Sequence, residues 1–449
     1  MLNKRFVESI REIDKVELED IKDKRLSLPY WEVKKFLGVF DREARIGSEN
    51  EVEFRDKGRL SKRDVLFFIN KFGNPENILE ENVERMWRNY ICGFESKLDF
   101  FRWLINTCVA SGTYEYVDDT GLVRVDYDGS LDYGVEFIFC GRVVELRDFV
   151  NSYRNYVKFI EESSKAFKLR VKKRSDNCGL HYHIITHHVF PLGVYVNLSQ
   201  LVRMFSDILV WITANGEGES FTRSYNYRDF ELLKSPFIDF RKYFYSVVHH
   251  YSPVSYYNKR VDGFCGYNIE FRIPDYILDP EVLTTYAILF LSLYRCAIRL
   301  SKSGVLMIKQ KVIDDVRDNL GVMEESSKRE IAISYESELK KSMRDRFNYM
   351  IKLLSEDIRV YDETGRTIKN LKMLFENPPV FRRSFKRFMY KFKENDVIDK
   401  LLDYEGNGSN KEEVIKEFCA SNGVSRKKLM RMIRKEKLKF DRESKRFYI

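Results

Sequence analysis

The chain has 449 residues, of which 44% are hydrophobic and 33% charged; that is long enough for two or three domains and too apolar for wholesale disorder. Its seven cysteines are scattered, odd in number and contain no Cys-x-x-Cys pair, which argues against a disulfide framework or a zinc ribbon and fits a reducing compartment. The net charge is +9, but residues 411–449 hold 13 Lys and Arg against 6 Asp and Glu, so this tail alone carries +7; a local basic module is implied, a nucleic-acid surface over the whole molecule is not.

The first residues, Met1 to Arg11, are charged and do not read as a signal peptide. The longest apolar run, Val282 to Tyr294, is 13 residues, short of the roughly 20 a membrane span needs. The expectation is a cytoplasmic protein with no membrane span. Residues 1–39 read as a helical extension. In Arg45 to Phe54, Glu49, Glu51 and Glu53 recur at every second position. On a strand they share one face, and a row of like charges is costly unless it lies in solvent or a divalent cation neutralises it. Residues 60–110 read as helices, followed by a strand pair at Tyr114–Val117 and Leu122–Val125. Glu136 then sits inside the apolar strand Gly134–Phe139, where a carboxylate needs an arginine or a metal partner.

A helix is expected over 145–168. Four of the six histidines then fall between His181 and His188. His181 and His183 are two apart among β-formers, so both imidazoles share a strand face. Such a pair binds a metal or touches a phosphate, and it is equally the pattern of a half-buried strand with hydrogen-bonded histidines. A helix is expected over Asn197–Ala214, with Asn197 or a nearby serine at its start. In Ile269-Glu270-Phe271-Arg272-Ile273, Glu270 and Arg272 share one face and Pro274 ends the strand. They read either as a self-neutralising pair or as a metal ligand beside a phosphate-binding guanidinium. Residues 301–405 read as a charged helical domain.

The tail, residues 409–449, reads as helix Lys411–Ala420, a turn, helix Arg426–Lys435 and a short hairpin. This is the spacing of a winged helix-turn-helix. Arg426, Lys427, Arg431 and Arg434 would meet DNA phosphates or base edges, or the module docks on a protein.

The order Gly-x-Glu-x-Glu at 47–51, Asp-x-Ser-Leu at 128–131 with Gly-Val-Glu at 134–136, Cys-Gly-Leu-His-x-His at 178–183 and Ile-Glu-Phe-Arg at 269–272 resembles the amidoligase family, a branch of the glutamine synthetase and glutamate–cysteine ligase superfamily. The resemblance covers residues 40–300. It implies an α+β fold, a glutamine-synthetase-like curved antiparallel sheet with outer helices. It also implies ATP-dependent joining of a carboxylate to an amine through an acyl phosphate, with Mg2+ or Mn2+. Small-molecule or protein substrates both fit, and a homo-oligomer is left open. By that resemblance Glu49 and Glu51 look like metal ligands, with Glu53 the alternative if the register slips by two. Glu136, His181 and Glu270 look like further ligands, His183 a phosphate or substrate contact, and Arg272 the arginine that steadies the transferred phosphate. Ser130, Arg223 and Arg260 are candidates for substrate or nucleotide contacts.

Two rivals remain on sequence alone. A rolling-circle replication initiator would use His181-Tyr182-His183 for a metal and Tyr256 or Tyr257, near Lys259, as nucleophile; it leaves the glutamates and Arg272 unexplained. A non-catalytic DNA-binding protein on a ligase scaffold would not need these residues intact.

Overall fold

The computed structural model describes residues 27–72, 93–106, 122–128, 131–142, 146–172, 178–214, 254–261, 264–306, 308–329, 333–379, 410–435, 437–441 and 444–448, with isolated positions at 84, 85, 87, 88, 90, 397, 398, 400–402 and 404. The expected strand Tyr114–Val117 and most of the extension 1–39 lie outside these residues. In chain order the elements are α1 (Tyr30–Glu43), β1 (Arg45–Asp56), α2 (Lys62–Phe72), α3 (Lys97–Leu104), β2 (Leu122–Asp126), β3 (Gly134–Arg142), α4 (Leu146–Ala166), β4 (Leu169–Val171), β5 (Leu180–Thr186), α5 (Leu192–Met204), α6 (Ser206–Thr213), β6 (Val254–Val261), β7 (Phe264–Phe271), α7 (Pro280–Leu300), α8 (Gln310–Arg329), α9 (Ile333–Tyr361), α10 (Arg366–Glu376), α11 (Lys411–Asn422), α12 (Arg426–Lys435), β8 (Lys439–Phe440) and β9 (Phe447–Tyr448).

Seven strands form one antiparallel sheet in the order β2-β3-β1-β5-β7-β6, with β4 paired to the far end of β1. The architecture is therefore α+β, with helices packed on the sheet's apolar face. On that face Val52, Phe137, Phe139, Tyr182, Ile184, Ile269 and Phe271 are buried. A polar relay crosses it: the Asn50 amide donates to the Tyr156 hydroxyl (2.8 Å), which donates to the Phe137 carbonyl (2.9 Å).

Helix α7 is the spine of the helical layer, packing against α1, α4, α5, α9 and α10. Asp279 caps it, accepting from the amides of Glu281 and Val282, and Pro280 opens its first turn. Among the described residues it is the one helix long and apolar enough to cross a bilayer, but 94% of the qualifying window is buried inside the protein. The helix expected from Asn197 starts earlier, at Leu192 after Pro191, and breaks at Phe205 into α5 and α6. Asn197 is not its cap. Fully buried, its amide instead holds the 304–306 loop through Gly304 O (3.0 Å) and Leu306 N (2.8 Å).

Helices α8–α10, expected as a domain of their own, share one continuous core with the sheet domain. Buried ion pairs cross between the layers. Arg346 of α9 grips Asp207 of α6, which also accepts from Asn319 of α8 (2.7 Å). Arg295 and Arg299 of α7 both bind Asp357 of α9 (2.7 and 2.8 Å).

The tail has a second, small core of Val414, Ile415, Phe418, Leu429, Met432, Ile433, Leu438 and Phe447, to which Ile398 and Leu401 add. Asn410 caps α11, Gly423 ends it at φ 62°, and α12 follows at the expected bounds. A two-stranded antiparallel ribbon, β8–β9, closes the module.

Candidate active site and metal centre

Strand β1 lies between β3 and β5, and its register decides what meets. Glu51 pairs with Glu136 on β3, Glu49 pairs with His181 on β5, and His183 pairs with Gly47 on one side and Glu270 of β7 on the other. Strand alternation turns these six charged or titratable positions to the face opposite the helices. Gly47 brings no side chain into the space beside His183.

The atoms converge. His183 Nε2 is 2.9 Å from Glu49 Oε2. His181 Nδ1 lies 3.4 Å from Glu270 Oε1 and 3.6 Å from Glu49 Oε2, while its Nε2 is 3.8 Å from Glu51 Oε1. The Gly179 amide donates to Glu51 Oε2 at 2.6 Å. A Cβ on Gly179 would sit 3.1 Å from His181 Nε2 and 3.4 Å from Glu51 Oε2, so glycine leaves both ligand atoms their room. Arg272 Nη1 donates to Glu270 Oε1, which fixes the guanidinium at the end of β7.

So many carboxylates in a buried place cannot all ionise freely. Burial, with Glu49 adding to it, pushes Glu136 up to about 8, and burial raises Glu51 as well. Burial and Arg272 push His181 down, but the carboxylates of Glu49, Glu51 and Glu270 outweigh them and raise it. For Glu270 the balance reverses. Burial raises it, yet His183, His181 and Arg272 together hold it low.

Three sets of ligand atoms each lie within 4.8 Å of one another: Glu49, Glu136 and His181; Glu49, His183 and Glu270; Glu51, Asp128 and Glu136. Oxygens bound about 2.1 Å from one Mg2+ are up to about 4.2 Å apart, so modest adjustment closes these sets on a cation. The all-carboxylate set of Glu51, Asp128 and Glu136 suits Mg2+ or Mn2+, and the two sets that include an imidazole suit Mn2+ better than Mg2+. The residues present therefore fit the divalent cations that the resemblance implies.

A pH dependence follows. A carboxyl whose folded value is raised favours folding below its unfolded value and loses that contribution as pH rises through the folded one. For Glu136 the window runs from 4.5 to about 8; Glu51 and His181 have the same sign and Glu270 the opposite. Without divalent cation, stability should fall across this window, and added Mg2+ or Mn2+ should raise the melting temperature more at pH about 8 than at pH about 5. Melts with chelator and with cation measure it; an equal cation effect at both ends rejects the linkage.

Glu53 shares the strand face but belongs elsewhere. Its carboxylate takes the Lys172 ammonium at 2.7 Å and the Asp132 amide at 3.3 Å, and it enters none of the three sets. Ser130 and Arg223 lie outside the described residues. Arg260 of β6 pairs with Cys265 of β7, and its side chain lies outside them too. Asp128 was not singled out as a ligand from sequence; the acid-rich turn Asp126-Tyr127-Asp128 was its signal. Tyr256, a nucleophile under the replication-initiator reading, is 1% exposed and hydrogen-bonded to Ser199 at 2.7 Å. It alternates with Ser255, which pairs with Glu270, so it faces the helices and not the histidines. In the tail, Arg426, Lys427, Arg431 and Arg434 are exposed, on the side of α12 away from Leu429, Met432 and Ile433.

No family model matches the chain, and no curated protein matches its sequence. Among solved structures it is similar to the complex between the prokaryotic ubiquitin-like protein Pup and its ligase PafA, with 8% identity, a TM-score of 0.34 and coverage of 88% of this chain and 80% of that one. A glutamine synthase homolog follows with 13% identity, a TM-score of 0.33 and coverage of 79% and 74%. A bifunctional glutathione synthetase from Pasteurella multocida gives 13%, 0.32, and coverage of 82% and 51%. The likeness is shallow, and the reading of function stands on the site's own geometry.

Proposed function

We propose that this chain is a cytoplasmic, ATP-dependent carboxylate–amine ligase of glutamine-synthetase-like fold, using Mg2+ or Mn2+. The observation that carries this reading is the convergence of Glu49, Glu51, Asp128, Glu136, His181, His183 and Glu270 from four strands and one turn, with Arg272 beside them. A carboxylate is a poor acyl donor until it is phosphorylated. In the proposed reaction the substrate carboxylate takes the γ-phosphoryl group of ATP, ADP leaves, and the amine then displaces phosphate to form the amide. Phosphoryl transfer is catalysed by positioning and charge neutralisation. Glu49, Glu51, Glu136, His181 and Glu270 would hold the cations, which supply positive charge to the phosphate oxygens. His183 would contact phosphate or substrate or complete the Glu49–Glu270 set. Arg272 presents a planar fork of N–H donors that suits phosphoryl oxygens.

Phosphate release from Mg-ATP, screened over a library of acids paired with amines, tests the reading. An acid-and-amine-dependent release of ADP and phosphate is expected. Failure of the protein to bind Mg-ATP in calorimetry would favour a non-catalytic scaffold instead.

We further propose that residues 409–449 form a winged helix-turn-helix that docks the enzyme on duplex DNA. Support comes from the charge: from Arg426 to Arg446 there are 11 Lys and Arg against 3 Asp and Glu, while Lys411 to Ser425 holds 2 against 3. The basic charge is thus confined to α12 and the ribbon. Deleting 409–449 should leave ATP turnover intact and remove a salt-sensitive duplex affinity, whose logarithmic slope is about −0.9 per phosphate contact. Equal duplex binding with and without the tail rejects the DNA role and leaves a protein partner.

A further inference from the structure

Both ring nitrogens of His183 have a polar neighbour. Its Nε2 is 2.9 Å from Glu49 Oε2, and its Nδ1 is 3.0 Å from the side-chain nitrogen of Asn268. Asn268 is fully buried, two positions before Glu270 on the same face of β7. A neutral imidazole carries one proton, so the partner at one nitrogen dictates what the other can do. With the amide nitrogen donating to Nδ1, the ring proton must be on Nε2, which lies 2.9 Å from Glu49 Oε2 but makes no hydrogen bond of good geometry to it. That arrangement leaves Nε2 without a lone pair for a cation.

An asparagine can serve the opposite arrangement as well. A half-turn of its amide puts Oδ1 where Nδ2 stands. Oδ1 then accepts from Nδ1–H, and the Nε2 lone pair points at the space shared with Glu49 and Glu270. In the present orientation Oδ1 is itself a buried acceptor with no hydrogen-bond partner, so the half-turn also gives that oxygen a donor.

We propose that Asn268 is a positioning residue that sets the tautomer of His183, holding the ring proton on Nε2 when the site is empty and on Nδ1 when a divalent cation is bound by Glu49, His183 and Glu270. On cation binding the proton leaves Nε2 and one is taken up at Nδ1. This rests on the cation-binding reading of the site. Partners that orient a ligating histidine are worth about 10- to 100-fold in metal affinity.

Three variants of the full chain separate the possibilities by calorimetric titration with Mn2+. Asn268→Leu, similar in volume but unable to pair with Nδ1, should weaken binding by about 10- to 100-fold. Asn268→Asp, an obligate acceptor that favours Nδ1–H, should bind at least as tightly as the wild type. His183→Gln should lose the site and be insensitive to a further Asn268→Leu change. The 15N spectrum of histidine-labelled wild type should show the His183 proton moving from Nε2 to Nδ1 on adding Mg2+, a readout that loss of folding in a variant cannot mimic. Wild type that binds no Mn2+ overturns the site reading and this proposal together. Wild type that binds, with unchanged affinity in Asn268→Leu or an unmoved proton in the spectrum, overturns this proposal alone.

Discussion

Glu49→Ala and Arg272→Ala should each abolish ATP turnover while the far-ultraviolet spectrum stays that of the folded protein. Glu49 belongs to two of the three ligand sets and its Oε2 is the nearest carboxylate oxygen to His183. Removing it takes away the carboxylate that both histidines share. Arg272 is the guanidinium that would meet charge developing on the transferred group, and loss of one such donor lowers kcat by about 100- to 1,000-fold. Arg272→Lys should restore only part of this, because an ammonium cannot reproduce a planar fork. Glu51→Ala should behave as Glu49→Ala does. Glu53→Gln is the internal contrast. It loosens the Lys172 pair and should cost stability rather than turnover. Turnover within about twofold of wild type in Glu49→Ala or Arg272→Ala would place the chemistry elsewhere.

Asp207→Leu should destabilise the protein by about 3–5 kcal/mol, because it strands the buried Arg346 guanidinium without its carboxylate. Arg346 donates to Asp207 and to the Met204 carbonyl (3.0 Å), and both residues of the pair are buried. The double change Asp207→Leu with Arg346→Met should be much milder than either single one, since matched apolar replacements remove the desolvation cost along with the attraction. Denaturant unfolding measures all three. A loss under about 1 kcal/mol for Asp207→Leu would mean that water reaches the pair and that α9 is not locked to α6 through it.

The carboxylates and histidines of the site were legible because a strand writes its faces into the sequence with period two. Glu49, Glu51, His181, His183 and Glu270 each follow that rhythm, and the register then brings them to one face. Three things were not legible. Which two of the three β1 glutamates meet the histidines depends on β1 leaving β5 for β4, which delivers Lys172 to Glu53. Asp128 sits in a turn, where no periodicity marks direction. Asn268 reads as one polar residue in a strand until its neighbour across the ladder is known. The helices told a similar story. Amphipathicity predicted α8–α10 but not what their apolar faces cover, so a region that reads as separate shares the core of the sheet domain. The boundary at Asn197 failed for a related reason: asparagine is a frequent cap, but here its amide is spent on a loop more than 100 residues away.

The order of the strands has a consequence for how the molecule is made. β1 is near the start of the described chain, yet its partners β3 and β5 begin at Gly134 and Leu180, and the last ligand-bearing strand ends at Phe271. A growing polypeptide leaving the ribosome therefore exposes an unpaired, glutamate-studded strand until β3 follows at Gly134–Arg142, and nothing resembling the finished hollow exists until β7 emerges. Such long-range pairing is slow and leaves sticky edges open. Nascent chains of this protein should rely on a holding chaperone until that strand is out, and products arrested before it should aggregate rather than fold into a smaller working unit.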